Sequence, residues 1–131
     1  MSVEIRTATP DDRLGVRRVL DAAMLDVRAD LPERVGAGDV LVACGETRRV
    51  LGALVVAQSG GTDAAHVDAV AVRRARRGQG IGTALVRAAS ERYDRLTAEF
   101  DADVRPFYES LGFEVEPVPD ADARFRGRYE P

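Results

Sequence analysis

Apolar and polar positions change period along the chain, and the changes mark its elements. Val3 to Arg6 alternates as a short extended segment, and Thr7 to Asp12 supplies turn and capping residues around Pro10. From Arg13 to about Ala23, apolar residues at Leu14, Val16, Val19, Leu20 and Ala23 recur at near-helical spacing. Leu25 to Val35 predicts a further helical turn or loop interrupted by Pro32, and Gly36 and Gly38 then break the chain. Val40 to Cys44 and Val50 to Gln58 are apolar runs joined by the charged turn Glu46 to Arg49, a β-hairpin pattern. Ser59 to Thr62 make another turn.

His66 to Val72 predicts a central strand with His66, Asp68, Val70 and Val72 on one face and Val67, Ala69 and Ala71 on the other. Arg73 to Gly80 is a basic, glycine-containing loop. Ile81, Ala84, Leu85, Ala88 and Ala89 trace the buried stripe of a helix ending near Tyr93. Leu96 to Phe100 predicts a strand and Val104 to Ser110 a short helix with Gly112 as its C-cap. Phe113 to Val118 and Phe125 to Tyr129 are closing strands across an acidic, proline-containing connection. The expected order is β-α-(α)-β-β-β-α-β-α-β-β, an α/β fold with a mixed central sheet flanked by helices, forming one domain over residues 1–131.

Composition narrows the function classes. With 131 residues, the chain is long enough for a core without disulfides or a structural metal. Its one cysteine, Cys44, lies in an apolar run and reads as a buried small hydrophobe. Apolar runs such as Ala53 to Ala57 are far too short to span a bilayer, so the expectation is a soluble, cytoplasmic protein that does not engage the membrane. A net charge of −3 and 5% aromatic content give nucleic-acid binding little support. All 19 basic residues are arginine. No lysine of this chain can therefore act as phosphate ligand, Schiff base or general base.

The stretch Arg73-Arg74-Ala75-Arg76-Arg77-Gly78-Gln79-Gly80-Ile81-Gly82-Thr83 carries the most chemistry. Alternating glycines let the backbone turn sharply, and the following helix aims its first N–H groups at the loop, an arrangement suited to phosphate or pyrophosphate. A dinucleotide fingerprint would need glycine where Thr83 or Leu85 stands, and a P-loop would need the missing lysine. Taken alone, the loop could also be a plain turn whose arginines are solvated.

A strand ending in Ala71-Val72, followed by Arg77-Gly78-Gln79-Gly80-Ile81-Gly82, resembles the acyl-CoA signature of the GNAT superfamily, an arginine or glutamine followed by x-x-G-x-G. Phe107-Tyr108-Glu109-Ser110-Leu111-Gly112-Phe113 resembles the family's second block, in the right order and at about the right distance. The resemblance implies an N-acetyltransferase in which acetyl-CoA donates the acyl group directly to an amine. Its pyrophosphate would rest on the amides of Gly78, Gln79, Gly80, Ile81, Gly82 and Thr83, next to Arg77. Its pantetheine arm would run along Val70, Ala71 and Val72. The N–H near Val72 would serve the oxyanion, and Tyr108 would protonate the leaving sulfur.

The base stays open between His66, whose place resembles that of a glutamate base in some relatives, its neighbour Asp68, Glu46, and ordered water. Relatives often carry asparagine and alanine where this chain has Asp101 and Val104, and Pro106 is an addition. Acceptor specificity is expected from Leu14 to Val35, including Asp26, Arg28, Asp30, Glu33 and Arg34, and from the last strands with Asp120 and Asp122. A metabolite amine, a protein N-terminus and a lysine side chain all fit, and a homodimer through terminal strands is possible. The competing reading is a non-catalytic module that senses acyl-CoA or grips a protein partner.

Overall fold

A computed structural model describes residues 3–22, 31–58, 64–119 and 124–130. Among them, seven strands form one mixed sheet with four helices. The strands are β1 (Glu4–Thr7), β2 (Val40–Cys44), β3 (Val50–Gln58), β4 (Ala64–Val72), β5 (Arg95–Asp101), β6 (Glu114–Pro117) and β7 (Arg124–Tyr129). The helices are α1 (Arg13–Ala22), α2 (Leu31–Ala37), α3 (Ile81–Arg92) and α4 (Arg105–Ser110). The sheet order is β1-β2-β3-β4-β5-β7-β6, antiparallel throughout except where β4 meets β5. A parallel neighbour needs a crossover, and α3 provides it.

Both sheet faces carry a core, as a mixed sheet between helices requires. Val16, Val19 and Leu20 of α1 and Leu31 and Val35 of α2 pack on Val40, Val42, Ala53, Val55 and Ala71. On the opposite face, Ile81, Leu85, Val86 and Ala89 of α3 pack with Leu54, Val67, Leu96, Phe100, Tyr108 and Phe113. Gly52 makes the second layer possible, because a Cβ there would stand 3.0 Å from the Ala71 carbonyl and 3.1 Å from Ile81. Cys44 is buried, and desolvation raises its thiol pKa. No described helix is long and apolar enough to cross a membrane.

The expected element order holds among the described residues, with local corrections. Leu14 is exposed and not part of the α1 stripe. Pro32 lies in the first turn of α2, where its missing N–H has no helical partner to lose, and so does not interrupt the helix. Gly36 lies inside that helix, and Gly38, at φ +80°, ends it. The α3 stripe uses Val86 in place of Ala84. Strand β4 starts at Ala64, two residues before the expected His66. The suggested acceptor residues Asp26, Arg28, Asp30, Asp120 and Asp122 lie outside the described residues.

Candidate active site

Strand β4 does not alternate cleanly. Its register with β3 shifts between Val55 and Val56, because Val55 faces Ala69 while Val56 faces Val67. Asp68 is the extra residue of a β-bulge, which bends the strand and swaps the faces beyond it. Val67 therefore shares the α3 face with Val70 and Val72, while Ala69 and Ala71 turn toward α1. The expected face of His66, Asp68, Val70 and Val72 is thus broken in its middle. Asp68 pairs across the α1–α2 face with Arg34 of α2 at 2.6 Å.

The bulge stands where β4 and β5 part. Their ladder covers only Ala64 to Val67 opposite Arg95 to Ala98, after which β5 stays with β7 and β4 stays with β3. A wedge-shaped gap opens between the two strands from there to Val72. Hydrogen-bond direction alternates along β4. Because the Arg73 N–H donates to the Leu51 carbonyl at 2.7 Å, Ala71 and Ala69 also turn their peptide groups to β3. Val70 and Val72 therefore aim theirs into the gap. Arg77 Nε donates to the Val72 carbonyl at 3.2 Å, which leaves the Val70 groups as the deeper backbone pair.

At the wide end of the gap, a single 3-10 turn at Arg74–Arg76 leads into the glycine loop. Gly78 and Gly80 adopt φ of +80° and +82°, the left-handed region. An added Cβ would meet nothing within 4 Å at either position, so the requirement for glycine is conformational. The first α3 turn closes with Ala84 N–H on the Gly80 carbonyl at 3.0 Å. The amides of Ile81, Gly82 and Thr83 therefore precede any intrahelical partner and are open to an anion. Gln79 accepts from Arg76 at 3.2 Å.

Gly82 joins this loop to the second block. A Cβ there would lie 3.5 Å from the Phe107 ring and 3.8 Å from Val72, so α3, α4 and β4 meet at that point. Tyr108 is buried in an aromatic cluster, stacked on Phe100 with centroids 4.3 Å apart and edge-on to Phe107 and Phe113 at 5.1 Å. Burial pushes its phenol up to about 12, and the hydroxyl makes no hydrogen bond among the described residues. Tyr108 thus combines a packing role with a retained proton. Gly112, at φ +91°, follows α4, and the Phe113 N–H returns to the Tyr108 carbonyl at 3.2 Å.

The proposed bases are not together. His66 sits on β4 before the gap, half-buried, with Nδ1 2.8 Å from Thr97 Oγ1 on β5. Six residues separate it from Val72, about 20 Å along a strand. The two cannot touch one reacting centre. Glu46 is exposed in the β2–β3 turn, and Asp101 is held by Arg124 at 3.0 Å, outside the gap. Sequence reasoning placed Val70 beside the cofactor but assigned the oxyanion to the N–H near Val72, and it missed the Arg34–Asp68 pair. Val67, Val70 and Val72 share a face because one residue is inserted between the first two, and the small Ala69 and Ala71 hide that insertion in the sequence.

The acetyltransferase (GNAT) domain family model matches residues 36–115, which span β2 through the middle of β6 and contain both the glycine loop and Tyr108. A GNAT-family protein from Desulfovibrio desulfuricans is 25% identical and superposes with a TM-score of 0.79 over 98% of this chain and 99% of its own. Ard1 from Thermoplasma volcanium shares the fold at 20% identity and a TM-score of 0.79, covering 99% of this chain and 98% of its own. The PaiA N-acetyltransferase from Thermoplasma acidophilum, solved in complex with coenzyme A, does so at 15% identity, a TM-score of 0.80 and full coverage of both chains. No curated protein matches the chain.

Proposed function

The chain belongs to the GNAT acetyltransferase family, and we propose from this that it transfers an acetyl group from acetyl-CoA to a primary amine by direct attack. The observation that carries the reading is the gap itself: the β4–β5 ladder stops at Val67 and Ala98, and the free amides at the start of α3 stand at its open end. The phosphates of acetyl-CoA would lie on the amides of Gly78 to Thr83, and the pantetheine would replace β5 as the neighbour of β4. A related protein's complex with coenzyme A supports this choice of donor.

The length of the cofactor selects the oxyanion donor. The pantetheine arm has about a dozen chain bonds and extends roughly 15 Å, close to the five-residue rise from Val72 back to Val67. Part of that length lies between phosphates on the glycine loop and Val72, so the thioester would stop short of Val67, and the deeper of the two gap-facing amides, that of Val70, would meet the developing oxyanion. The neutral amine adds to the carbonyl, the tetrahedral oxyanion collapses, and the C–S bond breaks with the electron pair on sulfur. Tyr108 would donate a hydrogen bond to that sulfur. His66 lies about 13 Å along β4 from Val70 and would take the amine proton through water, on the side of the sheet where α1 and α2 pack.

The test is calorimetric titration with acetyl-CoA of wild type beside Gly80→Arg. The expected result is micromolar binding, about −8 kcal/mol, lost in a variant that remains folded. A folded wild type that ignores acetyl-CoA at low and high salt would overturn the reading. Binding without turnover on any amine would favour a non-catalytic acyl-CoA sensor instead.

A further inference from the structure

The 3-10 turn at Arg74–Arg76 has a second side. There, the C-terminal end of α1, the β2–β3 turn and the β4–α3 loop enclose a cleft of about 620 Å³. Its floor is Val19 and Leu51, and its walls carry Arg49, Arg73 and Arg74, with Glu46 as the one carboxylate residue lining it among the described residues. Arginines elsewhere, such as Arg6, Arg34, Arg95 and Arg124, are matched to carboxylates. Arg49, Arg73 and Arg74 have no carboxylate in ion-pair reach among the described residues. Arg73 is also fixed in place, since its Nε donates to the Val50 carbonyl at 2.8 Å and leaves the terminal nitrogens for another partner. Burial, then Arg49 and Arg18, lower its pKa, as expected where like charges gather without a counterion.

We propose that this cleft binds a phosphate monoester. The group carries close to two negative charges and three acceptor oxygens, enough to engage several guanidiniums at once, and arginine forks suit its geometry. The site is separate from the amide nest of Gly78 to Thr83, which lies beyond the turn at the start of α3. Two sources carry this chemistry: the 3′-phosphate of CoA, which rests on the cofactor reading above, and a free phosphate or nucleoside monophosphate, which does not.

The experiment titrates wild type and the double variant Arg49→Ser/Arg74→Ser with CoA, dephospho-CoA, inorganic phosphate and adenosine 3′-monophosphate. Both substituted residues are exposed, so the variant should fold. If CoA supplies the group, wild type prefers CoA over dephospho-CoA by roughly tenfold or more, and the variant loses the preference. If the source is free, phosphate or the monophosphate binds wild type even with dephospho-CoA present, and the variant loses that binding. Phosphate binding that the variant loses, with neither cofactor bound by wild type, would sustain the cleft and sink the cofactor reading. Equal affinity for CoA and dephospho-CoA without phosphate binding, or any preference or phosphate binding that survives in the variant, would overturn the proposal.

Discussion

Replacing Tyr108 by Phe separates its packing from its proton. The ring contacts with Phe100, Phe107 and Phe113 survive, and the lost hydroxyl has no hydrogen bond among the described residues, so stability near pH 8 should change by less than about 1 kcal/mol. Alkali should tell the two proteins apart. The phenol titrates at about 12 when folded, against 10.0 ordinarily, because burial penalises the phenolate. A raised folded pKa means that the contribution is complete below pH 10 and is lost as pH rises through 10 toward 12. At pH 11 the loss is about 1.4 kcal/mol, and above pH 12 it approaches about 2.7 kcal/mol. Urea melts of wild type and Tyr108→Phe between pH 8 and 12 measure the divergence, and with no tryptophan in the chain the tyrosinate absorbance is uncluttered. Parallel stability curves across that range would refute the burial argument. The same shift bears on catalysis. A phenol near 12 passing its proton to a thiolate of ordinary pKa, about 8.5, runs uphill by about 5 kcal/mol, so in the proposed reaction Tyr108 would act through a hydrogen bond. The variant should lose about 10- to 100-fold in kcat, and no basic limb below pH 10 should depend on Tyr108.

Asp12→Asn should cost about 2 kcal/mol in thermal melts at neutral pH. The Asp12 carboxylate accepts twice from Arg6, at 2.7 and 3.0 Å, and from the Thr9 N–H at 2.8 Å, and its pKa is held down to about 2, first by Arg6. Since that pKa is depressed from 3.8, the wild-type advantage should be present above about pH 4 and fade as pH falls toward 2. Gly52→Ala should destabilise by about 1–3 kcal/mol in chemical denaturation, because the new Cβ meets the Ala71 carbonyl at 3.0 Å and both Ile81 and Leu85 of α3. Val70→Pro should lower kcat by about 100-fold with a smaller effect on acetyl-CoA affinity, since the N–H it removes faces the gap and not β3.

Much of the fold was legible because its elements differ in period. The alternating glycines, the stripe from Ile81 to Ala89 and the apolar run from Val40 to Cys44 each permit one local structure, and each forms it. The second block was also readable: Gly112 ends α4 and returns the chain to Phe113, as a left-handed C-terminal glycine should. What was not legible depends on a neighbouring strand. Ala69 and Ala71 are small enough to suit either face, so only the register against Val55 and Val56 exposes the insertion at Asp68. Leu14 has helical spacing but is left exposed, and spacing cannot reveal that. Backbone direction is equally silent, because Val70 and Val72 have the same side chain and the alternation of their amides follows from Arg73 donating to Leu51.

The bulge also links two functions that would otherwise compete for one strand. Up to Val67, β4 pairs with β5 and holds the sheet together, and beyond it the peptide groups of Val70 and Val72 face the gap that the proposed ligand would fill. A straight strand would carry the ladder on and close the gap. By inserting Asp68, the chain bends where pairing stops and brings Val70 and Val72 onto the α3 face, beside the glycine loop. The inserted residue is anionic and partly buried, and Arg34 of α2 answers it at 2.6 Å. Shielding that charge ties the bend to the segment expected to meet the acceptor. Arg34→Ala would leave Asp68 without that partner. Its cost should therefore appear in acceptor KM as well as in stability, while acetyl-CoA affinity, set at the loop beyond Val72, should stay within about threefold of wild type. A variant that lost cofactor affinity and acceptor binding equally would show that the bend serves the gap alone.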